Sequence, residues 1–306
     1  SVSVVVPDLQ PAHRGDRART EIERVSVESN QKLTLGSLFS GCGGIDLAME
    51  RAGFIPKWQI EKDKYALKAL EIHFPNVKRY NDATQICFGE LERVYFLVGG
   101  DPCPIRSKAK MGAKSQHPDL ASYFLEAVRQ LRPVWVLREN VPNPDANQFA
   151  LCLEWMGYRT VILEVDSATV TSQSRAREVI IGCFAASGYC PSAPFSQQPR
   201  RSRRLKALAQ GRSPLSLCLT TQFKQYSYTN NFVSEPERGI RILAPIERAR
   251  LQGYSDDWLS EFSSEQQCRM YGNSVTVDVF EQIGLMLRQY LDRKPKEHNK
   301  WTSLSE

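Results

Sequence analysis

The chain has few of the residues that build metal and disulfide sites. Its 306 residues include 4 histidines and 8 cysteines, and no two cysteines form a C-x-x-C pair. Cys42, Cys87, Cys103, Cys152, Cys183, Cys190, Cys218 and Cys268 are scattered, so neither a zinc centre nor a disulfide framework is expected, and a reducing compartment is. No apolar run approaches the length of a membrane span, and no signal-peptide pattern opens the sequence. A G-x-G-x-x-G dinucleotide fingerprint and internal repeats are also missing. What remains is an ordinary globular balance, 42% hydrophobic and 24% charged, long enough for one large α/β domain and a smaller lobe. The net charge of +6 mildly favours a polyanionic partner.

Residues 1–32 mix Pro, Arg, Glu and Ser without periodicity and read as an N-terminal extension. From residue 33, strand-like and helix-like segments alternate: "LTLGSLFS" then "GIDLAMERAGF", and "KWQIEKD" then "KYALKALEIHF". "VYFLVGG" precedes a helix in which Leu120, Tyr123, Phe124, Ala127, Val128 and Leu131 follow the i, i+3, i+4, i+7 pattern. Pro133 ends that helix, and "VWVLREN", "NQFALCLEWMGY", "RTVILEV" and "EVIIGCF" follow as strand, helix, strand and strand. Such alternation predicts a parallel sheet covered on both faces. It stops near residue 185, where 185–240 becomes rich in Pro, Ser, Gln and Arg. A helical "PIERARLQG" and a closing helix with Phe280, Ile283, Leu287 and Leu291 on one stripe complete the chain.

Several places carry candidate chemistry. The glycines of "LFSGCGGIDLAMERAGF" fall at the end of the first strand and before a helix, where backbone lets a nucleotide-like ligand approach; taken alone, this is also the pattern of an ordinary tight turn. Glu61 ends the second strand, a common place for a carboxylate that holds ribose hydroxyls. In "GGDPCPIRSKAK", Pro102 and Pro104 make a rigid turn around Cys103, with Arg106, Lys108, Lys110 and Lys114 close by in sequence. Positive charge favours the nucleophilic thiolate, although a lone buried cysteine is more often an inert small hydrophobe. The next strand ends in "RENV", and neighbouring parallel strands open their C-terminal ends on one crevice, so Cys103 and Glu139 are expected to face each other. Arg175 and Arg177 alternate in "QSRAREV" and should share a face. The basic "QPRRSRRLKALAQGR", with Arg201, Arg203 and Arg204, suits phosphate contacts or a solvated loop.

The order of these motifs resembles the cytosine-5 DNA methyltransferase family: "FSGCGG", "IEKDKYA", "GGDPC", "ENV", "QSRAR", "RILAPIERARLQGYSDDW" and "YGNSV" occur in succession. The resemblance implies a Rossmann-like class I methyltransferase fold, α/β with a mostly parallel sheet, helices on both faces and a small target-recognition region. It divides the chain into a catalytic and cofactor-binding part at 33–184, a short target-recognition region at 185–240 and a return segment at 241–306. It implies S-adenosyl-L-methionine as cofactor, held by Phe39, Ser40, Gly41, Gly43, Gly44, Glu61, Lys62, Asp82, Ala83, Pro102, Asn273 and Ser274. Cys103 matches the nucleophile that adds to cytosine carbon 6, and Glu139 the acid at ring nitrogen 3. Arg175 and Arg177 match the pair that helps hold the target base and its adduct. The implied partner is double-stranded DNA with the cytosine flipped out, contacted by Arg106, Ser107 and Lys108 as well as the second basic cluster.

The sequence departs from that family at Pro104, where Gln is usual, at "IRS" beyond it, and at Lys62, where an apolar or aromatic residue often packs near adenine. The recognition region is short, so specificity is expected to be relaxed, short, or read partly by residues 1–32. A tRNA cytosine-5 methyltransferase and a catalytically weak DNA-binding regulatory homologue are the alternatives; the presence of Cys103, Glu139, Arg175 and Arg177 argues against the second. A monomer without metal or membrane is expected, cytoplasmic and nucleoid-associated in a prokaryote or phage, nuclear in a eukaryote. Restriction–modification, phage self-protection and epigenetic marking are all compatible settings.

Overall fold

The apolar run after Leu33 forms β1 (Thr34–Leu38), whose last four residues are buried. The computed structural model describes residues 33–102, 120–142, 145–195, 216–221, 231–235, 237 and 239–293. β1 runs parallel to β2 (Ile55–Ile60) on one side and β4 (Phe96–Gly99) on the other. β3 (Lys78–Tyr80) and β5 (Trp135–Asn140) extend the sheet outward, and β6 (Tyr158–Asp166) and β7 (Ala176–Phe184) complete the order β3-β2-β1-β4-β5-β7-β6. Chain order reverses between β1 and β4, which opens the crevice where α/β sheets bind ligands, at the carboxyl ends of those strands.

The helices divide between the faces as the alternation requires. On one face α1 (Gly44–Arg51), α2 (Lys64–His73) and the closing helix α7 (Val277–Asp292) pack around Phe96, Trp135 and Ile181. On the other, α3 (Leu120–Leu131) and α4 (Ala146–Trp155) cover Trp58, Leu97 and Val136. The return segment adds α5 (Pro245–Leu251) and α6 (Ser264–Asn273), and β8 (Phe232–Glu235) with β9 (Gly239–Ile242) forms a separate antiparallel ribbon. No helix among the described residues is long and apolar enough to cross a membrane.

The sheet differs from the sequence expectation at its far edge: β7 is antiparallel to both β5 and β6. The link from Asp166 to Ala176 is too short for the crossover that a parallel pair needs, which takes a dozen or more residues. The three-residue β3 was not anticipated either, being too short for an alternating pattern to register.

Beneath the glycine loop, the buried Asp46 accepts hydrogen bonds from Ser37 Oγ at 3.0 Å and Gln59 Nε2 at 3.0 Å, so that α1 is pinned to β1 and β2. Burial pushes its carboxyl from 3.8 up to about 6, against the pull of those two hydrogen bonds. A carboxyl raised in the folded state binds its proton more tightly when folded. Its contribution is therefore full below 3.8 and is lost as pH rises through about 6. Asp46→Asn keeps the shape: its Oδ1 can still accept from Gln59 Nε2 while its amide N–H reaches Ser37 Oγ. At mildly alkaline pH this variant is expected to be more stable by about 1–3 kcal/mol, with the difference shrinking towards acid; urea denaturation across pH checks both sign and slope.

Candidate cofactor and catalytic cleft

A cavity of about 850 Å³ opens at the β1/β4 switch point. Its walls come from the glycine loop after β1, the ends of β2, β4 and β5, the start of β7 and the end of α6. At Gly41, φ is +56°, a left-handed conformation that glycine adopts without a Cβ penalty, and a Cβ there would meet nothing within 4 Å. Backbone is thus bared to the cavity where a ligand must come close.

Glu61 leaves the end of β2 and is held by three backbone donors. Gly41 N–H donates to Oε2 at 2.8 Å, and Lys62 and Asp63 N–H both donate to Oε1 at 2.7 Å. Burial raises its carboxyl above the ordinary range, and the Gly41 and Lys62 N–H groups pull the other way. Asp82 stands after β3; Lys62 Nζ donates to its Oδ2 at 2.7 Å, and Thr84 N–H and Oγ1 donate to its Oδ1. That Lys62 contact, with the Thr84 amide next, holds the Asp82 carboxyl below the ordinary range. Lys62 therefore lies across the cleft mouth as the partner of Asp82, its side chain 77% exposed.

Across the cavity, Glu139 and Arg177 form an ion pair at 2.7 Å, 12% and 13% exposed. Glu139 also crowds Gly100, where a Cβ would come within 2.8 Å of its Oε2. Arg175 lines the same cavity; its Nη1 and Nη2 donate to the carbonyls of Leu219, Gly272 and Ser274, Nη1 also meets Cys218 Sγ at 3.2 Å, and its buried Nε has no partner among the described residues. Burial, then the neighbouring Arg177, hold it below the usual arginine range. Asn273 and Ser274 enter the lining because a buried polar seam ties the return segment to the catalytic sheet. Within it Gln252 Nε2 donates to Tyr271 O at 2.8 Å, Thr276 Oγ1 donates to Gln252 Oε1 at 2.8 Å, and Ser167 meets Thr276 at 2.7 Å. Leu219 N–H donates to Gln173 Oε1 at 2.9 Å, drawing residues 216–221 onto the same seam.

Phe39, Gly41, Glu61, Lys62, Asp82, Ala83, Pro102, Glu139, Arg175, Arg177, Asn273 and Ser274 thus share one cavity. Ser40 is turned to the backbone instead, donating to Ser37 O and Ile60 O. Gly43 N–H closes that turn on Ser40 O at 3.0 Å, and Gly44 packs against Tyr254 and Ser274. Cys103, Arg106, Ser107, Lys108, Arg201, Arg203 and Arg204 lie outside the described residues. Sequence reasoning passed over Cys42, Asp63, Asp101 and Arg269, which also line the cavity. Arg269 shares a face of α6 with Asn273, one turn away, which was the available signal.

The fold is α/β and Rossmann-like with a cleft at its switch point, and the family follows from comparison. A model of the C-5 cytosine-specific DNA methylase family matches residues 33–187 and 193–289, and the chain belongs to that family. It is a DNA cytosine-5 methyltransferase by that membership. The Type II methyltransferase M.PspPI of Psychrobacter is 32% identical over 173 residues, 52% of this chain and 42% of that protein. M.MspI of Moraxella is 26% identical over 324 residues, 91% of this chain and 77% of that protein. The solved Entamoeba histolytica methyltransferase EhMeth superposes with a TM-score of 0.67 at 16% identity, over 86% of this chain and 99% of that one.

Proposed function

We propose that the protein transfers a methyl group from S-adenosylmethionine to carbon 5 of a cytosine flipped out of duplex DNA, through a covalent adduct on Cys103. The observation that carries this reading is the Glu139–Arg177 pair, facing the bared glycine loop across a single cavity. The cavity has the size of ordinary cofactor sites, about 300–1,000 Å³, and its polar groups fit the cofactor. Glu61, with both oxygens fixed by backbone N–H groups, suits the ribose diol; Asp82 suits an exocyclic amine; Gly41 leaves space beside the backbone. When bound, S-adenosylmethionine supplies an electrophilic sulfonium methyl group.

The protein's task is to make carbon 5 nucleophilic. The Cys103 thiolate adds to carbon 6, forming a C–S bond and moving the ring π electrons towards carbon 5, while Glu139, which takes up a proton from water as the base enters beside its ion pair with Arg177, passes that proton to nitrogen 3. Arg177 fixes the Glu139 carboxyl for that contact, and Arg175 holds the Gly272 and Ser274 backbone that lines the cavity. After carbon 5 is methylated its proton passes to a water molecule in the cleft, the C–S bond breaks to return the thiolate, and the nitrogen 3 proton goes back through Glu139 to solvent. The relatives' names as Type II methyltransferases support a restriction–modification setting, and the basic clusters support duplex DNA as substrate.

Methyl transfer from labelled cofactor to mixed-sequence duplex DNA and to tRNA tests the reading. Label on DNA is expected; label on RNA alone would overturn the substrate. A second outcome concerns the cofactor end of the cleft. Glu61→Ala, which removes the acceptor for three N–H groups, is expected to weaken binding of S-adenosylhomocysteine by roughly 10–100-fold in calorimetry while the protein stays folded.

A further inference from the structure

Just beyond β4, a buried ion pair holds Asp101, two residues before Cys103. β4 and β5 are parallel with Gly99 opposite Arg138, so Arg138 reaches the first residues beyond β4. Its Nη2 donates to Asp101 Oδ2 at 2.8 Å and its Nε to Oδ1, a two-pronged contact with side chains 5% and 6% exposed. The guanidinium lies 4.1 Å from the ring centre of Phe149 on α4, which fixes its plane. Asn140 adds a third hold: its Nδ2 donates to Asp101 O at 3.2 Å and to Oδ2 at 3.3 Å, while its Oδ1 accepts from Val141 N–H at 2.8 Å. Residues alternate along a strand. Arg138 and Asn140 thus grip Asp101 from one side of β5, while Glu139 points the other way to Arg177.

Stability is a poor explanation for this arrangement. Removing two charges from water is expensive, and a buried pair is often no more stabilising than apolar residues of the same volume. Geometry is the better one, because a bidentate guanidinium–carboxylate contact fixes orientation as well as distance. We propose that Asp101 and Arg138 are positioning residues for the reaction, fixing Asp101 and Pro102, the residues that lead into Cys103, relative to Glu139 so that the thiolate meets carbon 6 when Glu139 meets nitrogen 3. This rests on Cys103 being the nucleophile. It assigns the pair to the rate of thiol addition and not to binding of DNA or cofactor.

The test uses the full chain and duplexes carrying 5-fluorocytosine throughout, on which the adduct persists, with the adduct rate read in single turnover. Arg138→Met should slow adduct formation roughly 100-fold, the scale for a misplaced reacting group, with DNA and cofactor affinities changed by no more than about twofold. Arg138→Lys keeps the charge without the fork and should fall between. Either single variant leaves a buried charge unpaired, so the double variant Asp101→Leu/Arg138→Met decides between positioning and folding. It should regain the wild-type melting temperature, or exceed it, while its adduct rate stays slow. A double variant with both wild-type stability and wild-type rate would overturn the proposal, and so would an unchanged rate in Arg138→Met. If the wild-type protein methylates these duplexes' unfluorinated counterparts without any adduct, the nucleophile reading fails and the positioning role falls with it.

Discussion

Cys103→Ser is expected to abolish methyl transfer to DNA, by more than about 10⁴-fold, while leaving cofactor binding intact; losses on that scale follow removal of the nucleophile from covalent catalysts. The asymmetry comes from the cleft's layout. Glu61, Asp82 and the glycine loop stand on the β1–β2 side of the switch point, and the turn leading to Cys103 leaves β4 beyond it. A hydroxyl at position 103 has almost no oxyanion at neutral pH, whereas a thiol near basic residues supplies a thiolate. The hydrogen bonds that fix Glu61 come from the Gly41, Lys62 and Asp63 N–H groups. Transfer assays and calorimetry on one preparation separate the two effects. Appreciable transfer by the serine variant would mean that carbon 6 is not attacked by this residue.

Glu139→Gln comes second in size. Glutamine fills the same space and offers an oxygen to Arg177, but it cannot deliver a proton to nitrogen 3. A loss of roughly 10²–10⁴-fold in the chemical step is expected, the usual contribution of a positioned general acid. Arg177 Nη1 keeps its bond to Ala176 O at 2.6 Å but loses a charged partner in a mostly buried place, so stability should fall by about 1–2 kcal/mol. The rate loss far exceeds that, and chemical denaturation measured beside single-turnover transfer keeps them apart. A rate within about twofold of wild type would remove Glu139 from the proton's path.

The sequence made most of the cleft's floor legible because its parts are local. A strand, a glycine turn and a helix follow one another at 34–51, and the ends of β4 and β5 carry "GGDPC" and "ENV" at the positions where a parallel sheet opens. What stayed hidden depends on pairings between distant segments. Lys62 was expected beside adenine as an odd substitution, and the structure pairs it with Asp82 twenty residues on. Asp101 and Arg138 look unrelated in sequence until the register of β4 on β5 brings them together. Arg175 reads as a ligand-facing arginine and does line the cavity, but its Nη1 and Nη2 also hold three backbone carbonyls brought by the return segment and by residues 216–221, a link no local pattern shows. The antiparallel β7 escaped for a related reason, because strand direction is set by the length of a connection rather than by residue pattern.

The most direct measurement is intact-protein mass spectrometry after incubation with S-adenosylmethionine and a 5-fluorocytosine duplex. Fluorine cannot leave carbon 5 as the proton does, so the adduct should persist. The account predicts a species with the mass of protein, oligonucleotide and one methyl group, mapping by proteolysis to Cys103 and missing in Cys103→Ser. Methylation of ordinary duplex DNA without any such species, or an adduct on another residue, would contradict it.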